Sequence, residues 1–266
     1  NWFRPTMTKT GPDGALYVAD MYRLVIEHPK WIPPGMQSRV NLREGSNRGR
    51  IWRVLPKGSK LRKTPRLDRM STKTLVTALD SPNGWQRDTI QRLLLARRGE
   101  DASADLRKLA QTSKSPKVRL QALCILEGLD SLNSKVLKQA LEDPHFSVRE
   151  QAVRLCEENH ADLIVSRIED ESIRVRRQVA FSLGEWQNAE AGKALVRLAL
   201  ADAKEPRVQE AVKSSALPHA AAMLKHIFSE ETKAPTGLLS DLIRFAILQD
   251  NLESLAKVFD EILILV

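Results

Sequence analysis

A motif of about 30 residues recurs through the central part of the chain and constrains its fold more than any other feature. The motif is centred on an arginine, which glutamine replaces in the last copy. The five centres are spaced by 32, 30, 27 and 33 residues and are Arg87, Arg119, Arg149, Arg176 and Gln209. Apolar residues around each centre follow helical spacing. One copy cannot bury its apolar face alone, so consecutive copies must stack.

Each copy predicts a pair of helices of the HEAT type. An Asp or Ser caps the second helix, and a proline sits at its first turn, where no backbone N–H is lost. A Val or Trp anchors the inner face, and we assign Trp85 to that role in the first copy. Residues three positions after the centres let neighbouring helices approach, and these are Ile90, Ala122, Ala152, Val179 and Val212. With a further helical pair in residues 236–266, residues 72–266 predict a mostly α fold, a HEAT-like α-solenoid.

Residues 1–57 have a different, β-type character. A Gly-Pro-Asp-Gly turn at residues 11–14 precedes a β-prone run, and residues 49–54 predict a second strand after a long loop with several prolines. This length suffices for about one blade of a propeller, and a single blade cannot cover its own edges. Either further blades lie outside this chain or the segment packs on the helices behind it. Residues 58–71 predict a basic linker.

Four strings in this segment carry a family resemblance. Residues 3–5, 11–23, 26–29 and 48–54 read FRP, GPDGALYVADMYR, IEHP and RGRIWRV. They resemble the last propeller blade of the planctomycete-type membrane-bound dehydrogenases. Residues 81–94, SPNGWQRDTIQRLL, resemble the first HEAT unit of the same family.

The resemblance implies a larger parent protein. In that family, a propeller similar to sugar dehydrogenases that use pyrroloquinoline quinone (PQQ) is followed by HEAT repeats and a c-type cytochrome. The implied parent is an oxidoreductase in the periplasm or outside the cell, with PQQ and haem c as cofactors. This chain would be an architectural part that docks the propeller against the cytochrome, so the resemblance predicts no cofactor within it. Whether the parent is an active enzyme stays open.

Seven polar residues of the β segment are candidate site residues under this resemblance. Arginine forks suit the carboxylates of an anionic quinone. The candidate cofactor-binding residues are Arg4, Asp20, Tyr22, Arg23, Arg48 and Arg50. His28 is a candidate general base. The alternative is structural: Asp20 and Arg23 staple the blade by hydrogen bonds, and His28 orders the proline-rich loop. Asp13 is expected to be a turn residue and not a calcium ligand.

The repeat arginines predict a stacked polar ladder rather than a binding site. Their expected partners are acids such as Asp88, Glu150 and Asp143. Cys124 and Cys156 are expected to be free thiols on the second helices of adjacent units. His219 and His226 are expected to share a helix face, but two histidines make a poor metal site, and we predict no metal ligands.

Charge separates the two parts of the chain. Residues 1–70 hold 15 Lys and Arg against 5 Asp and Glu, whereas residues 71–266 hold 27 against 28. Binding of a nucleic acid along the repeats would require an excess of basic residues there. Because the repeats have none, we expect no nucleic-acid partner. No apolar run reaches the roughly 18 residues of a membrane helix, so no membrane insertion is expected. The rival to the oxidoreductase reading is a non-enzymatic HEAT scaffold that binds a protein or peptide.

The chain is expected to be a piece of a longer protein. It begins Asn-Trp-Phe, with neither an initiator Met nor a signal peptide, and ends in the apolar run Ile262–Val266.

Overall fold

A computed structural model of the protein describes residues 2–60, 62–186, 188–230 and 234–249, together with Ala256. The fold is mostly helical, with HEAT repeats and a short three-stranded antiparallel sheet at the amino terminus, as the sequence predicts. The chain divides into two compact units, residues 1–102 and residues 103–266. Each unit is described by itself.

The sheet of the first unit consists of β1 (Pro5–Thr10), β2 (Leu16–Asp20) and β3 (Arg50–Val54), in that order across the sheet. The predicted turn joins β1 to β2. Gly11 donates its N–H to the carbonyl of Ala15 at 2.9 Å, and Gly14 has a φ of +85°, a left-handed conformation that favours glycine. The loop between β2 and β3 contains a 3-10 turn, Pro29–Trp31, and a short helix, α1 (Pro34–Gln37).

The first helical pair packs in the same unit as the sheet. It consists of α2 (Thr72–Ala78) and α3 (Gly84–Ala96), and 3-10 turns lie at Leu67–Arg69 and Glu100–Ala102. The side-chain amide of Asn83 donates to the carbonyls of Gly11 and Pro12 at 2.9 and 3.1 Å, and Gln86 donates to that of Pro12 at 2.8 Å. The β segment therefore packs on the helices behind it, one of the two arrangements left open by the sequence.

The basic interval before α2 is partly packed. Leu67 is buried, and Arg97 of α3 donates to the carbonyls of Asp68 and Met70 at 2.7 and 2.6 Å. The end of the interval is thus fixed to the first helical pair.

Five helical pairs make up the described part of the second unit. They are α4 (Ser103–Thr112) with α5 (Pro116–Gly128), α6 (Ser134–Leu141) with α7 (Phe146–Arg154), α8 (Ala161–Val165) with α9 (Ile173–Gly184), α10 (Ala189–Ala201) with α11 (Pro206–Ser215), and α12 (Ala220–Ser229) with α13 (Thr236–Leu248). The second helices pack in sequence, α5 on α7, α7 on α9 and α9 on α11. Of the pair predicted in residues 236–266, the described part contains α13, which packs on α12. Residues 250–255 and 257–266 of the predicted terminal pair lie outside the described residues.

The inner face follows the sequence pattern except at Trp85. Each valine immediately before a repeat centre is at most 2% exposed: Val118, Val148, Val175 and Val208. Trp85 is 37% exposed, so its assignment as an inner-face anchor is wrong. The position equivalent to these valines is Gln86, which binds the hairpin turn. Trp85 lies one residue earlier, on the solvent side of the helix.

The helix caps also differ from the prediction. Ser115 and Ser172 occupy N-cap positions, but aspartate does not cap these helices. Asp143 and Asp170 lie two residues before the N-cap residues and accept their backbone N–H groups at 2.8 and 2.9 Å. Pro144 accordingly precedes the N-cap His145 and lies outside α7. Because these aspartates lie in the turns between helices, their Oδ2 atoms face the preceding helical pair. There they accept hydrogen bonds from Arg119 and Arg149.

Three of the four repeat arginines form the predicted ladder, and each rung joins consecutive helical pairs through a bidentate ion pair. Arg87 donates to the Ser81 carbonyl at 2.7 Å, but its Nε–H has no acceptor among the described residues and it is not a rung. Arg119 binds Asp143 at 2.6 and 2.7 Å, Arg149 binds Asp170 at 2.8 and 2.9 Å, and Arg176 binds Asp202 at 2.7 and 2.8 Å; these three pairs are the rungs. Each rung arginine also donates through Nη1 to the backbone carbonyl six residues earlier in its own unit, at 2.7–2.8 Å. Each of these arginines therefore hydrogen-bonds to the inter-helix turn of its own helical pair and forms an ion pair with the turn of the next pair.

Of the acids expected in the ladder, only Asp143 is a rung. Glu150 pairs instead with Arg174 at 2.9 Å on the surface. Asp88 is not among the rung partners. Gln209 occupies the repeat position after Arg176 and forms no rung, because its amide carries no charge. Its amide still donates to the Asp202 carbonyl in the preceding turn at 3.1 Å.

The middle rung is the most deeply buried. The side chains of Arg149 and Asp170 are 7% and 2% exposed. Burial alone would raise the pKa of Asp170, but the hydrogen bonds from Arg149 and from the Ser172 amide hold that pKa below its usual value. The ion pair is therefore retained at neutral pH.

We predict that Arg149→Ala destabilises the protein by about 3–5 kcal/mol, because it leaves the carboxylate of Asp170 buried without its partner. Arg174→Ala is the matched control on a neighbouring helix. Its guanidinium is 55% exposed and pairs at the surface, so the expected cost is below about 1 kcal/mol. Urea unfolding of both variants measures the difference, and equal costs would show that the rung does not hold the array.

Candidate functional site

Asp20, at the end of β2, organises the candidate cofactor residues. Its side chain is fully buried, and its Oδ1 accepts the backbone N–H groups of Arg4 at 2.8 Å and Tyr22 at 2.9 Å. Its Oδ2 accepts the indole N–H of Trp52 at 2.9 Å and lies 4.0 Å from Nε of Arg50. Burial would raise the pKa of Asp20, but these donors together hold it below the usual value. Asp20 is thus an ionised centre that links all three strands.

A layer of rings and one guanidinium lies beside Asp20. The Arg50 guanidinium lies 3.7 Å from the centre of the Tyr22 ring and 5.4 Å from that of Trp52, within cation–π range. Tyr22 has a φ of 48°, and a Cβ at Gly45 would come within 2.1 Å of the Tyr22 carbonyl oxygen. Glycine at position 45 is what allows the loop to approach so closely.

The other candidates contact the loop between β2 and β3. Arg4 donates to the carbonyl of Leu24 at 3.4 Å, and Arg23 donates to that of Leu42 at 2.8 Å. The Nε–H groups of both arginines are buried without an acceptor among the described residues. Arg48 is exposed and lies two residues before β3.

His28 is exposed, and its Nδ1 accepts the backbone N–H of Lys30 at 3.2 Å, which caps the Pro29–Trp31 turn. The structure therefore brings together Asp20, Tyr22, Arg50 and the Arg4 backbone, but not His28. The observed bonds are those of the structural alternative. The cofactor-binding and general-base roles stay predictions.

Asp13 makes the contacts of a turn residue. Its Oδ1 accepts the N–H of Ala15 at 3.0 Å, and its Oδ2 accepts from the Tyr17 hydroxyl at 3.2 Å and from Arg53. The backbone bond at Ala15 contributes most to lowering the pKa of Asp13. The carboxylate oxygens are occupied by donors of this chain.

A cavity of about 680 Å³ lies in the first unit, at the opposite end of β2 from Asp20. Its wall includes the rings of Tyr17 and Trp85 and the charged side chains of Lys9 and Asp88. None of the seven candidate residues lines it. Trp85 is exposed because it borders this cavity, a position that its place in the repeat did not indicate.

The cysteines and His219 have structural positions. Cys156 is buried, which raises the pKa of its thiol to about 12, and it lies two residues after the end of α7 and not within that helix. Burial also raises the pKa of Cys124 on α5. His219 lies in the 3-10 turn Leu217–His219 and not on one helix with His226 of α12. Its Nε2 is 3.0 Å from the Leu183 carbonyl oxygen, so that nitrogen carries the proton of a neutral ring.

We predict an acid-sensitive stability step from His219. Burial lowers the pKa of His219 in the folded protein, whereas in the unfolded chain it keeps the ordinary value of about 6.5. Protonation below that pH favours the unfolded chain. Stability is therefore highest above the unfolded-state pKa of about 6.5 and falls as the pH drops below it.

The measurement is the unfolding free energy between pH 7 and pH 5. His219→Gln should flatten this slope, whereas His226→Gln is the matched control and should leave it unchanged. An unchanged slope in His219→Gln would contradict the assignment of a neutral buried ring.

Comparison with known families gives two matches. Residues 1–58 match the family described as a domain of unknown function (DUF7133), and residues 133–216 match the HEAT repeats. No curated protein matches the chain. The HEAT match covers α6 to α11, including the rungs at Asp143, Asp170 and Asp202.

The class of protein follows from the fold and this match. The chain carries a HEAT-repeat array, and HEAT repeats commonly mediate protein–protein interaction. In the part of the chain that the structure describes, no helix has the length and apolarity required to cross a bilayer.

Proposed function

We propose that the chain is a scaffold that holds partner domains at a fixed spacing. The observation that carries this proposal is the run of three consecutive rungs from Arg119 to Asp202, two of them buried and the third partly buried. Each rung fixes one helical pair to the next through two parallel hydrogen bonds, which restricts both distance and orientation. A rigid array is what a spacer between two domains requires.

The test is the distance between two spin labels on the full chain. The labels are placed at Lys117 and Arg207, both exposed, after replacement of Cys124 and Cys156 by Ser. We expect one narrow distance distribution. Arg149→Leu should broaden it at a temperature where circular dichroism shows the helices intact, whereas Arg174→Ala should not. A broad distribution in the unmodified array would overturn the fixed-spacing role.

A second proposal concerns the parent protein: an extracytoplasmic oxidoreductase in which the array docks a dehydrogenase-like propeller against a cytochrome. The resemblance of the β segment and of residues 81–94 supports it. So do exposed apolar side chains on both faces of the sheet. On one face are Met7 and Ile51, 59% and 71% exposed; on the other are Leu16, Trp52 and Val54, 43–49% exposed. A sheet of this kind needs cover on both faces, which neighbouring blades provide in a propeller.

The proposed cofactors, PQQ and haem c, belong to the parent. None of the seven candidates lines the cavity beside Tyr17, and the carboxylate of Asp20 is filled by donors of this chain. Arg23 donates to the Leu42 carbonyl and keeps an Nε–H without an acceptor among the described residues. We therefore derive no catalytic step through a quinone from this chain. The proposed partners are the adjacent propeller and cytochrome domains.

The test begins with the reading frame on both sides of this sequence. Upstream blades and a downstream CxxCH motif are expected. The longer protein supplied with PQQ and a sugar or alcohol should then reduce an artificial dye. Arg149→Leu should preserve dye reduction but slow reduction of the protein's own haem. A frame without blades or a haem motif would leave the non-enzymatic scaffold as the function.

A further inference from the structure

The edge of the sheet formed by β3 is open. Because β2 is the middle strand, β1 and β3 are both edges, and in the described part of the chain no strand pairs with the outer side of either. Every residue of β3 is exposed, and Ile51 is 71% exposed. After β3 the chain leaves the sheet through a turn, in which Ser59 donates its N–H to the Pro56 carbonyl at 3.1 Å. β3 therefore presents an uncovered backbone edge.

The strand register identifies the backbone groups at this open edge. The N–H of Gly11 donates to the Ala15 carbonyl, so the odd-numbered residues of β2 direct their N–H and C=O groups toward β1. The even-numbered residues of β2 then form hydrogen bonds with the even-numbered residues of β3, which stand opposite them. Because alternate residues of a strand point these groups to opposite sides, Ile51 and Arg53 direct theirs away from β2.

The two edges of the sheet differ in how they are protected. β1 contains Pro5, and its register with β2 is irregular between Pro5 and Met7. Prolines and bulges are features that keep edge strands from pairing with another chain. β3 contains neither, and its register is regular from Arg50 to Val54. With exposed apolar side chains and a regular backbone, β3 is the edge suited to accept a further strand.

Positive charge around the open edge indicates the kind of strand that fits it. Residues 48–57 contain no acid and four bases: Arg48, Arg50, Arg53 and Lys57. Residues 1–58 together hold 10 Lys and Arg against 4 Asp and Glu. Arg53 already pairs with Asp13, whereas within the described residues Arg48 forms no ion pair. A second copy of β3 would bring these bases together, so like charges disfavour self-pairing and favour an acidic strand.

We propose that β3 binds an extended acidic segment of a partner protein, which adds to the sheet as a fourth strand. The backbone groups of Ile51 and Arg53 form the new ladder, and the carboxylates of the added strand lie beside the bases of residues 48–57. This proposal rests on the scaffold function and specifies where and by which chemistry one partner is held. A nucleic acid is disfavoured because it cannot continue a ladder of amide hydrogen bonds.

The experiment measures binding of a fluorescein-labelled Glu-Val-Glu-Val-Glu-Val-Glu peptide to the full chain by anisotropy. We expect saturable binding that weakens by about tenfold in Ile51→Pro, because proline removes the outward N–H and leaves the hydrogen bonds to β2 in place. Thr8→Pro is the matched control, since Thr8 directs its N–H outward at the edge of β1, and it should leave the affinity unchanged. Ile51→Thr retains the N–H and should bind nearly as tightly as the unmodified chain.

Hydrogen exchange of the unmodified chain tests the same edge without any substitution. Saturation with the peptide should slow exchange of the Ile51 and Arg53 amides, because both gain acceptors in the added strand. The amides of Thr8 and Thr10 on β1 should exchange at the same rate with and without the peptide.

Each other outcome overturns the proposal. Absence of binding, or equal affinities of Ile51→Pro and Thr8→Pro without protection of the Ile51 amide, would remove β3 as the docking edge. Equally tight binding of the same peptide N-methylated at every residue would show attraction to a basic surface and not strand addition. Dimerisation of the chain that Ile51→Pro abolishes would identify a second copy as the occupant. The spin-label distances do not involve this edge, so its failure leaves the fixed-spacing role to its own evidence.

Discussion

The bidentate pair between a repeat arginine and the aspartate of the next unit is the interaction on which the helical array depends. Packing of Val118, Val148 and Val175 buries apolar area, but apolar contacts are not directional. The guanidinium adds direction, because its fork fits a carboxylate in one plane. It also holds the turn of its own unit through a backbone carbonyl. One side chain therefore sets both the internal geometry of a helical pair and the position of its neighbour.

The arginines and their ladder could be predicted from the sequence because they recur at a nearly constant spacing. The partners were harder to predict. Asp143 was expected, but Asp170 and Asp202 were not, since acids are frequent near each arginine and only the course of the inter-helix turn decides which one faces it. Trp85 was misassigned by one residue for a similar reason. On a helix, a shift of one position rotates a side chain by about 100°, which separates the inner face from solvent.

The candidate site shows where sequence reasoning stops. The family resemblance pointed to seven candidates, and the fold brings together three of them, Asp20, Tyr22 and Arg50. The hydrogen bonds of Asp20 to Trp52 and to backbone amides depend on the strand register. The spacing of residues in the sequence does not predict that register. The cavity beside Tyr17 carries no motif at all. It arises from side chains that are far apart in sequence and meet only after packing.

The contact between the hairpin turn and α3 affects where genes for such chains can recombine without breaking this packing. The family match ends at residue 58, yet the carbonyls of Gly11 and Pro12 depend on amides at positions 83 and 86. Recombination at residue 58 would separate the carbonyl acceptors of the hairpin turn from the side-chain amide donors at positions 83 and 86. An exchange after residue 102 would keep them together. The sheet and the first helical pair are therefore one packing unit, although the family match ends between them.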